Sequence, residues 1–304
     1  FSALPMALII FLRVVLSVTA NALQKRLLLA RAGVGHTWVL TYSIMLLPAL
    51  LWALPFPQTP AFWRDVAIGG ALDALGNLAM VAALRTTDIS VFGPLNAIRP
   101  ILALIFGWIF LAETPTPLGL IGIAITVGGG VILFTGNTGH HPSIQSPHLE
   151  EKPRALTSHA WPAILLRTLG LALGVAGAVF LKRAALVSTA ESTVAAWIAS
   201  GLVCLITFGA MAPALSSEAD TSHLDALRVH WKWLLLHSAV FLSMQWLTIR
   251  IFQATLLAYS FVFFQLGMVL QVFVGRIFFR EPSFLRRLIA ALVMAAGSIL
   301  ILLE

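Results

Sequence analysis

The sequence predicts an all-α membrane protein in which ten transmembrane helices form two inverted five-helix repeats. Three observations predict it. Of 304 residues, 59% are apolar and only 10% are charged, with a mean hydropathy of +0.94. Soluble domains carry roughly 25% charged residues, so lipid is the natural solvent for this chain. Ten runs approach the ~20 apolar residues that cross a bilayer. Finally, the second half of the chain echoes the first.

The runs follow one another with turn or interface residues between them. Residues 5–24 come first, bounded by Lys25-Arg26. This run is too long for a cleavable signal peptide and has no basic n-region before it. Residues 37–56 end around Pro55-Phe56-Pro57, and 66–84 end before Thr86-Thr87-Asp88. Residues 90–111 stop at Glu113-Thr114-Pro115, and 117–135 close the first half. A polar linker, 136–160, follows. Residues 161–181 end at Lys182-Arg183, and 192–213 lead into a second polar stretch, 214–231. Residues 232–254, 257–279 and 284–303 complete the series, with Arg280-Glu281-Pro282 between the last two. The domain boundaries are therefore 1–135, linker 136–160, and 161–304.

The repeat is explicit at a shift of 168 residues. Thr87 aligns with Thr255, Gly107 with Gly275, Glu113 with Glu281, Gly129 with Gly297, and Asn77 with Gln245. Leu102, Ile109 and Phe110 also find their like, but leucine-type matches between apolar helices carry little weight. With a three-residue slip, Leu12-Arg13 and Lys25-Arg26 match Leu166-Arg167 and Lys182-Arg183. Five is odd, so the second copy enters the membrane from the opposite side. Inverted repeats of this kind characterise secondary transporters, whose substrate sites lie near the midplane between the halves.

The blocks Gly107-Trp-Ile-Phe-Leu-Ala-Glu113 to Gly129 and Gly275-Arg-Ile-Phe-Phe-Arg-Glu281 to Gly297 resemble the drug/metabolite transporter superfamily of the EamA type. The resemblance implies ten helices around a central cavity, with the fifth and tenth peripheral. It also implies export or exchange of a small metabolite, amino acids being the leading class and sugar phosphates or nucleotide sugars the alternative. Glu113 and Glu281 precede prolines at the start of a new helix, where a carboxylate favours the N-terminal dipole. Their expected role is structural.

Ionisable residues at membrane depth are costly and therefore mark functional positions. Arg13, Asp73 and Arg99 lie near the middles of their spans. Arg167, Arg250 and Arg276 lie nearer the ends, where a long side chain reaches the interface. Helical spacing gives polar stripes: Arg13, Ser17, Asn21 and Gln24; Asp73 and Asn77; Asn96 and Arg99 before the kink-prone Pro100; His237, Gln245 and Thr248. Tyr259 and Gln265 add polar groups on the ninth run. The candidate substrate-binding residues are thus Arg13, Asn21, Asp73, Asn77, Asn96, Arg99, His237, Gln245, Tyr259 and Gln265. For Asn21, Asn77 and Gln245, interhelical hydrogen bonding is an equal alternative. If Asp73 pairs one arginine, the other remains for a carboxylate or phosphate, which guanidinium binds bidentately. Asp73 or His237 could carry a coupled proton, or the substrate could move against a counter-substrate.

Other chemistries lack support. No phosphate-binding loop follows a strand, no HExxH is present, and there is no nucleophile elbow. His140, His141 and His148 sit in the linker without companion ligands. Cys204 is the single cysteine, so an intramolecular disulfide is excluded. No cofactor is expected. The formal charge of +7 is scattered without a basic tract, which fits anionic lipid headgroups and not nucleic acid. A lipid-headgroup flippase and a non-transporting scaffold remain as other classes, and the chain could act as a monomer or a homodimer. An inner cell membrane is the expected location. Lys25, Arg26, Arg31, Arg85, Lys152, Arg154, Arg228, Lys232, Arg280, Arg286 and Arg287 share one set of loops, against Arg64, Lys182 and Arg183 in the other. The positive-inside rule then puts the termini outside, whereas the family resemblance implies cytoplasmic termini.

Overall fold

The structure is a computed structural model and describes residues 3–29, 34–53, 56–57, 59–84, 96–135, 160–211, 228–279 and 284–303. Among these residues the chain forms ten α-helices and no strand. They are α1 (Ala3–Leu29), α2 (Val34–Ala53), α3 (Pro60–Leu84), α4 (Arg99–Leu111), α5 (Pro117–Thr135), α6 (Ala160–Leu186), α7 (Ala190–Met211), α8 (Trp231–Ala254), α9 (Leu257–Phe279) and α10 (Phe284–Leu302). Each overlaps one of the ten apolar runs. The linker up to residue 159, and with it His140, His141 and His148, lies outside the described residues.

By length and composition alone, Pro5–Gln24, Ile164–Leu186, Ala190–Thr207 and Trp231–Ala254 can cross a membrane. The other described apolar stretches are shorter, such as Pro117–Ile132 and Leu257–Leu270. Large apolar side chains point outward from the bundle, among them Leu51, Trp108 and Leu292. Such a surface suits acyl chains and would be an aggregation hazard in water.

Small residues decide which helices touch. Without a hydrophobic drive between helices in lipid, close packing through glycines takes over. Gly170 and Gly177 on α6 face α3: a Cβ at Gly177 would lie 2.8 Å from the Gly69 carbonyl oxygen, and one at Gly170 would lie 2.8 Å from that of Gly76. The two backbones are therefore in direct contact along α3 and α6. Gly122, Gly129 and Gly297 do the same for α5 and α10. Other neighbours include α1 with α8 and α9, α2 with α7 and α8, α3 with α7, α4 with α6 and α9, and α9 with α10.

The Gly-x-x-x-x-x-Glu pattern closes α4 by a specific device. The Glu113 N–H donates to the Gly107 carbonyl at 3.1 Å. Between them Ala112 adopts the left-handed conformation, φ 53°. Such a residue commonly ends a helix and satisfies its last carbonyls. A Cβ on Gly107 would come within 3.0 Å of Glu113 Oε2, so the glycine clears the space that the carboxylate occupies.

The turns after α2, α4, α6 and α8 lie at one end of the bundle. There Ser192 Oγ donates to the Ala53 carbonyl at 3.1 Å, and Arg183 Nε meets Asp65 Oδ2 at 3.2 Å.

Candidate functional site

The polar residues of the middle of the bundle form a connected group drawn from six helices. It is built around the beginning of α4. Asn96 ends a helical segment, Ala97-Ile98 form a turn, and α4 starts at Arg99 with Pro100 in its first turn. Proline has no N–H and so removes the bond to the carbonyl four residues earlier. That carbonyl belongs to Asn96. Gln265 of α9 supplies the missing donor, its Nε2 lying 2.9 Å from Asn96 O. The span is thus discontinuous beside the cluster. Broken helices of this kind build midplane sites in transporter folds.

Three arginines converge on this break. Arg99 Nη2 donates to Met80 Sδ at 3.1 Å. Arg167 Nη2 donates to Asn96 Oδ1 at 3.0 Å, and its Nη1 lies 3.5 Å from the Met80 carbonyl. Arg13 Nε donates to Thr248 Oγ1 at 3.2 Å. The Arg13 guanidinium also stacks on the Phe264 ring, 3.5 Å from its centroid, one residue from Gln265. A cation over an aromatic face is favourable, the more so out of water. Arg99 lies close enough to feel the charges of Arg13, Arg167 and Asp73. Asp73 accepts a hydrogen bond from Asn77 Nδ2 at 3.2 Å, and Trp197 stands beside it.

Of the ten candidate residues, Arg13, Asp73, Asn77, Asn96, Arg99 and Gln265 are brought together. Gln245 is half-buried on α8 and makes no hydrogen bond among the described residues. The other three lie elsewhere. Asn21 is exposed. Eight residues on from Arg13 it has rotated roughly 80° off that face at 3.6 residues per turn, while Gln24, only about 20° off, is half-buried. Tyr259 is buried, but its hydroxyl fills the space beside Gly119 on α5. Six residues before Gln265 it faces roughly 120° away. His237 shares a face with Thr248 but sits about 16 Å along the helix from it. It is 1% exposed, with Nδ1 3.4 Å from Thr41 Oγ1 and its ring stacked on Phe241. Trp38, Tyr42 and Trp197 complete that aromatic packing.

The interface reading of Arg167 is corrected: its guanidinium turns inward to Asn96. The predicted run 161–181 and the observed α6, Ala160–Leu186, set Arg167 at nearly the same depth; what differs is the direction of the side chain, which Asn96 across from it decides. Its repeat partner, Arg13, was the signal that could have found it. Arg250 is exposed, as an interfacial arginine should be. The side chain of Arg276 and all of Glu281 lie outside the described residues. Among the described residues, no three His, Cys, Asp or Glu side chains gather as metal ligands would.

Glu113 also departs from expectation in detail. Its carboxylate serves a helix N-terminus, but that of α9 and not of its own α5: Oε2 accepts the Leu257 N–H at 2.7 Å. Oε1 pairs with Lys182 Nζ at 2.5 Å. Lys182 had been read as an interfacial residue of a loop; it is buried near the end of α6 and donates to the Thr255 carbonyl.

Comparison with known proteins agrees with this architecture. Residues 4–135 match the EamA-like transporter family. Over 81 residues, 26% of this chain, the sequence is 31% identical to an uncharacterized transporter of Synechocystis sp.. That match spans 23% of the relative's length. A crystal structure of another protein aligns with a TM-score of 0.65 over 98% of this chain and 96% of the other, at 15% identity. At that identity the likeness concerns the fold alone. The chain is an integral, multi-pass membrane protein whose residues 4–135 form an EamA-like transporter domain.

Proposed function

We propose that the chain is a secondary transporter that moves a small polar metabolite through the bundle centre by alternating access, as an exporter or exchanger. The observation that carries this reading is the gathering of Arg13, Arg99 and Asp73 inside a membrane-embedded bundle, beside a broken helix. Charges at membrane depth are retained where they serve a pathway or site. Arg13 and Arg99 present guanidinium groups suited to a carboxylate, and Asp73 offers the complementary charge for an ammonium. That pairing favours an amino acid or a related carboxylate. An organic phosphate is the alternative that the same guanidiniums would accept.

Rocking between two inverted halves is supported by how the helices pair. With helix n of the first half matched to helix n + 5 of the second, α3 on α6 corresponds to α8 on α1, and α4 on α6 to α9 on α1. The residues follow suit. Arg167 meets Asn96, and Arg13 meets Phe264, the residue 168 positions after Asn96.

The groove of about 450 Å³ between α1, α2 and α8 bears on the flippase alternative. Leu12, Leu16, Trp52, Trp246 and Leu247 line it, with Ser243 as its hydroxyl. That lining suits an acyl chain better than a headgroup.

The test is a thermal-shift screen of detergent-purified protein with amino acids, dicarboxylates, sugar phosphates and nucleotides. A ligand that binds only the folded state raises its apparent stability. The reading expects at least one carboxylate- or phosphate-bearing ligand to raise the unfolding temperature of the wild type and not of Arg99→Glu. Equal shifts in both proteins would remove the site from the centre.

A further inference from the structure

The buried pair Glu113–Lys182 does more than close a turn. Glu113 belongs to the α4–α5 turn of the first half, and Lys182 to the end of α6 in the second. Oε1 meets Nζ at 2.5 Å, with the side chains 12% and 5% exposed. The remaining oxygen of the carboxylate holds the first amide of α9, Leu257 N–H, at 2.7 Å. The ammonium also holds the Thr255 carbonyl, two residues before that amide. One ion pair therefore ties the α4–α5 turn to both α6 and the α8–α9 turn. Arg183–Asp65 and Ser192–Ala53 cross between the halves at the same end.

A buried ion pair is a poor way to gain stability, because an apolar pair of similar size does as well or better. What it offers is two-state behaviour. Joined, the charges satisfy each other; separated into water, each is hydrated and the desolvation cost is recovered. Intermediate separations have neither advantage. A contact of this kind suits an interface that must exist closed and open.

We propose that Glu113 and Lys182 form a latch that holds this end of the bundle shut and parts when the end opens. The name of the open state rests on the transporter reading, but the opening itself does not.

The experiment places spin labels at Leu118→Cys and Val187→Cys, both exposed and on opposite halves, in a Cys204→Ser background. Distances are measured by double electron–electron resonance in nanodiscs, with no substrate needed. The double variant Glu113→Gln/Lys182→Met removes both charges together and leaves a carbonyl for the Leu257 amide, so it is expected to fold. The expected result is a new population at longer distance, with Lys182→Arg retaining the short one. An unchanged distribution in the folded double variant overturns the latch. Hydrogen exchange on the unsubstituted protein gives a second, independent measurement. The Leu257 amide is expected to exchange well ahead of the Phe261 and Val262 amides one turn deeper. Equal protection of all three would mean that the end does not open. A shifted distance distribution in the double variant, with no ligand in the screen raising the unfolding temperature of the wild type, would count against the transporter reading alone.

Discussion

Gln265 Nε2 donates to the Asn96 carbonyl at 2.9 Å, the acceptor that Pro100 deprives of its helical donor. A proline in one helix thus creates a requirement met from another helix, 169 positions on from the orphaned carbonyl. The bond fixes the backbone from which Asn96 reaches Arg167 and Arg99 reaches Met80.

The first prediction concerns that bond. Gln265→Leu leaves a buried carbonyl unsatisfied and should cost about 1–3 kcal/mol. Pro100→Ala restores an N–H four residues after Asn96, so the Gln265→Leu cost should shrink in that background. Thermal unfolding of the four proteins of the cycle measures the coupling, and a coupling near zero would contradict the assignment.

Arg99 supplies the second. Charge reversal, Arg99→Glu, should abolish counterflow of an anionic substrate in proteoliposomes while the protein stays folded. Arg99→Lys should retain part of it, since lysine keeps the charge but loses the bidentate fork.

Two glycines of α6 should behave differently. Gly177→Leu drives a side chain into the Gly69 carbonyl and Asp73 backbone, and overpacking typically costs about 1–3 kcal/mol. At Gly174 a Cβ would meet nothing within 4 Å. Gly174→Ala should therefore be neutral or stabilising by about 0.4–1 kcal/mol, through the unfolded chain. Unfolding temperatures of the two variants separate the cases.

Ala112 pays a backbone penalty at φ 53°. Ala112→Gly should relieve about 1 kcal/mol of it and raise the unfolding temperature. Gly107→Ala should lower it, because the new methyl crowds the Glu113 carboxylate.

His237 tests the boundary of the site. Packed between Thr41 and Phe241, it should be replaceable by leucine without loss of ligand binding, as read by ligand-induced thermal shifts. Loss of binding in a folded His237→Leu variant would extend the site into the aromatic packing.

Much was legible in the sequence because a bilayer imposes simple rules. Apolar run length marked where helices could lie, and Glu113-Thr114-Pro115 marked where α4 stops, whereas Lys25-Arg26 and Lys182-Arg183 fall inside α1 and α6. The cost of burying charge singled out Arg13, Asp73 and Arg99 before any fold was known. Helical spacing did less well over distance: Asn21 and His237 satisfied the periodicity but had rotated or travelled away from the cluster. What only the tertiary structure decided was which partners the polar groups would find. Arg167 turns inward because Asn96 stands across from it, Gln265 is taken up by a carbonyl orphaned on another helix, and Glu113 caps α9 and not its own helix. Run length and periodicity are local and one-dimensional, whereas hydrogen-bond and ion-pair satisfaction is settled between helices that the chain brings together from far apart.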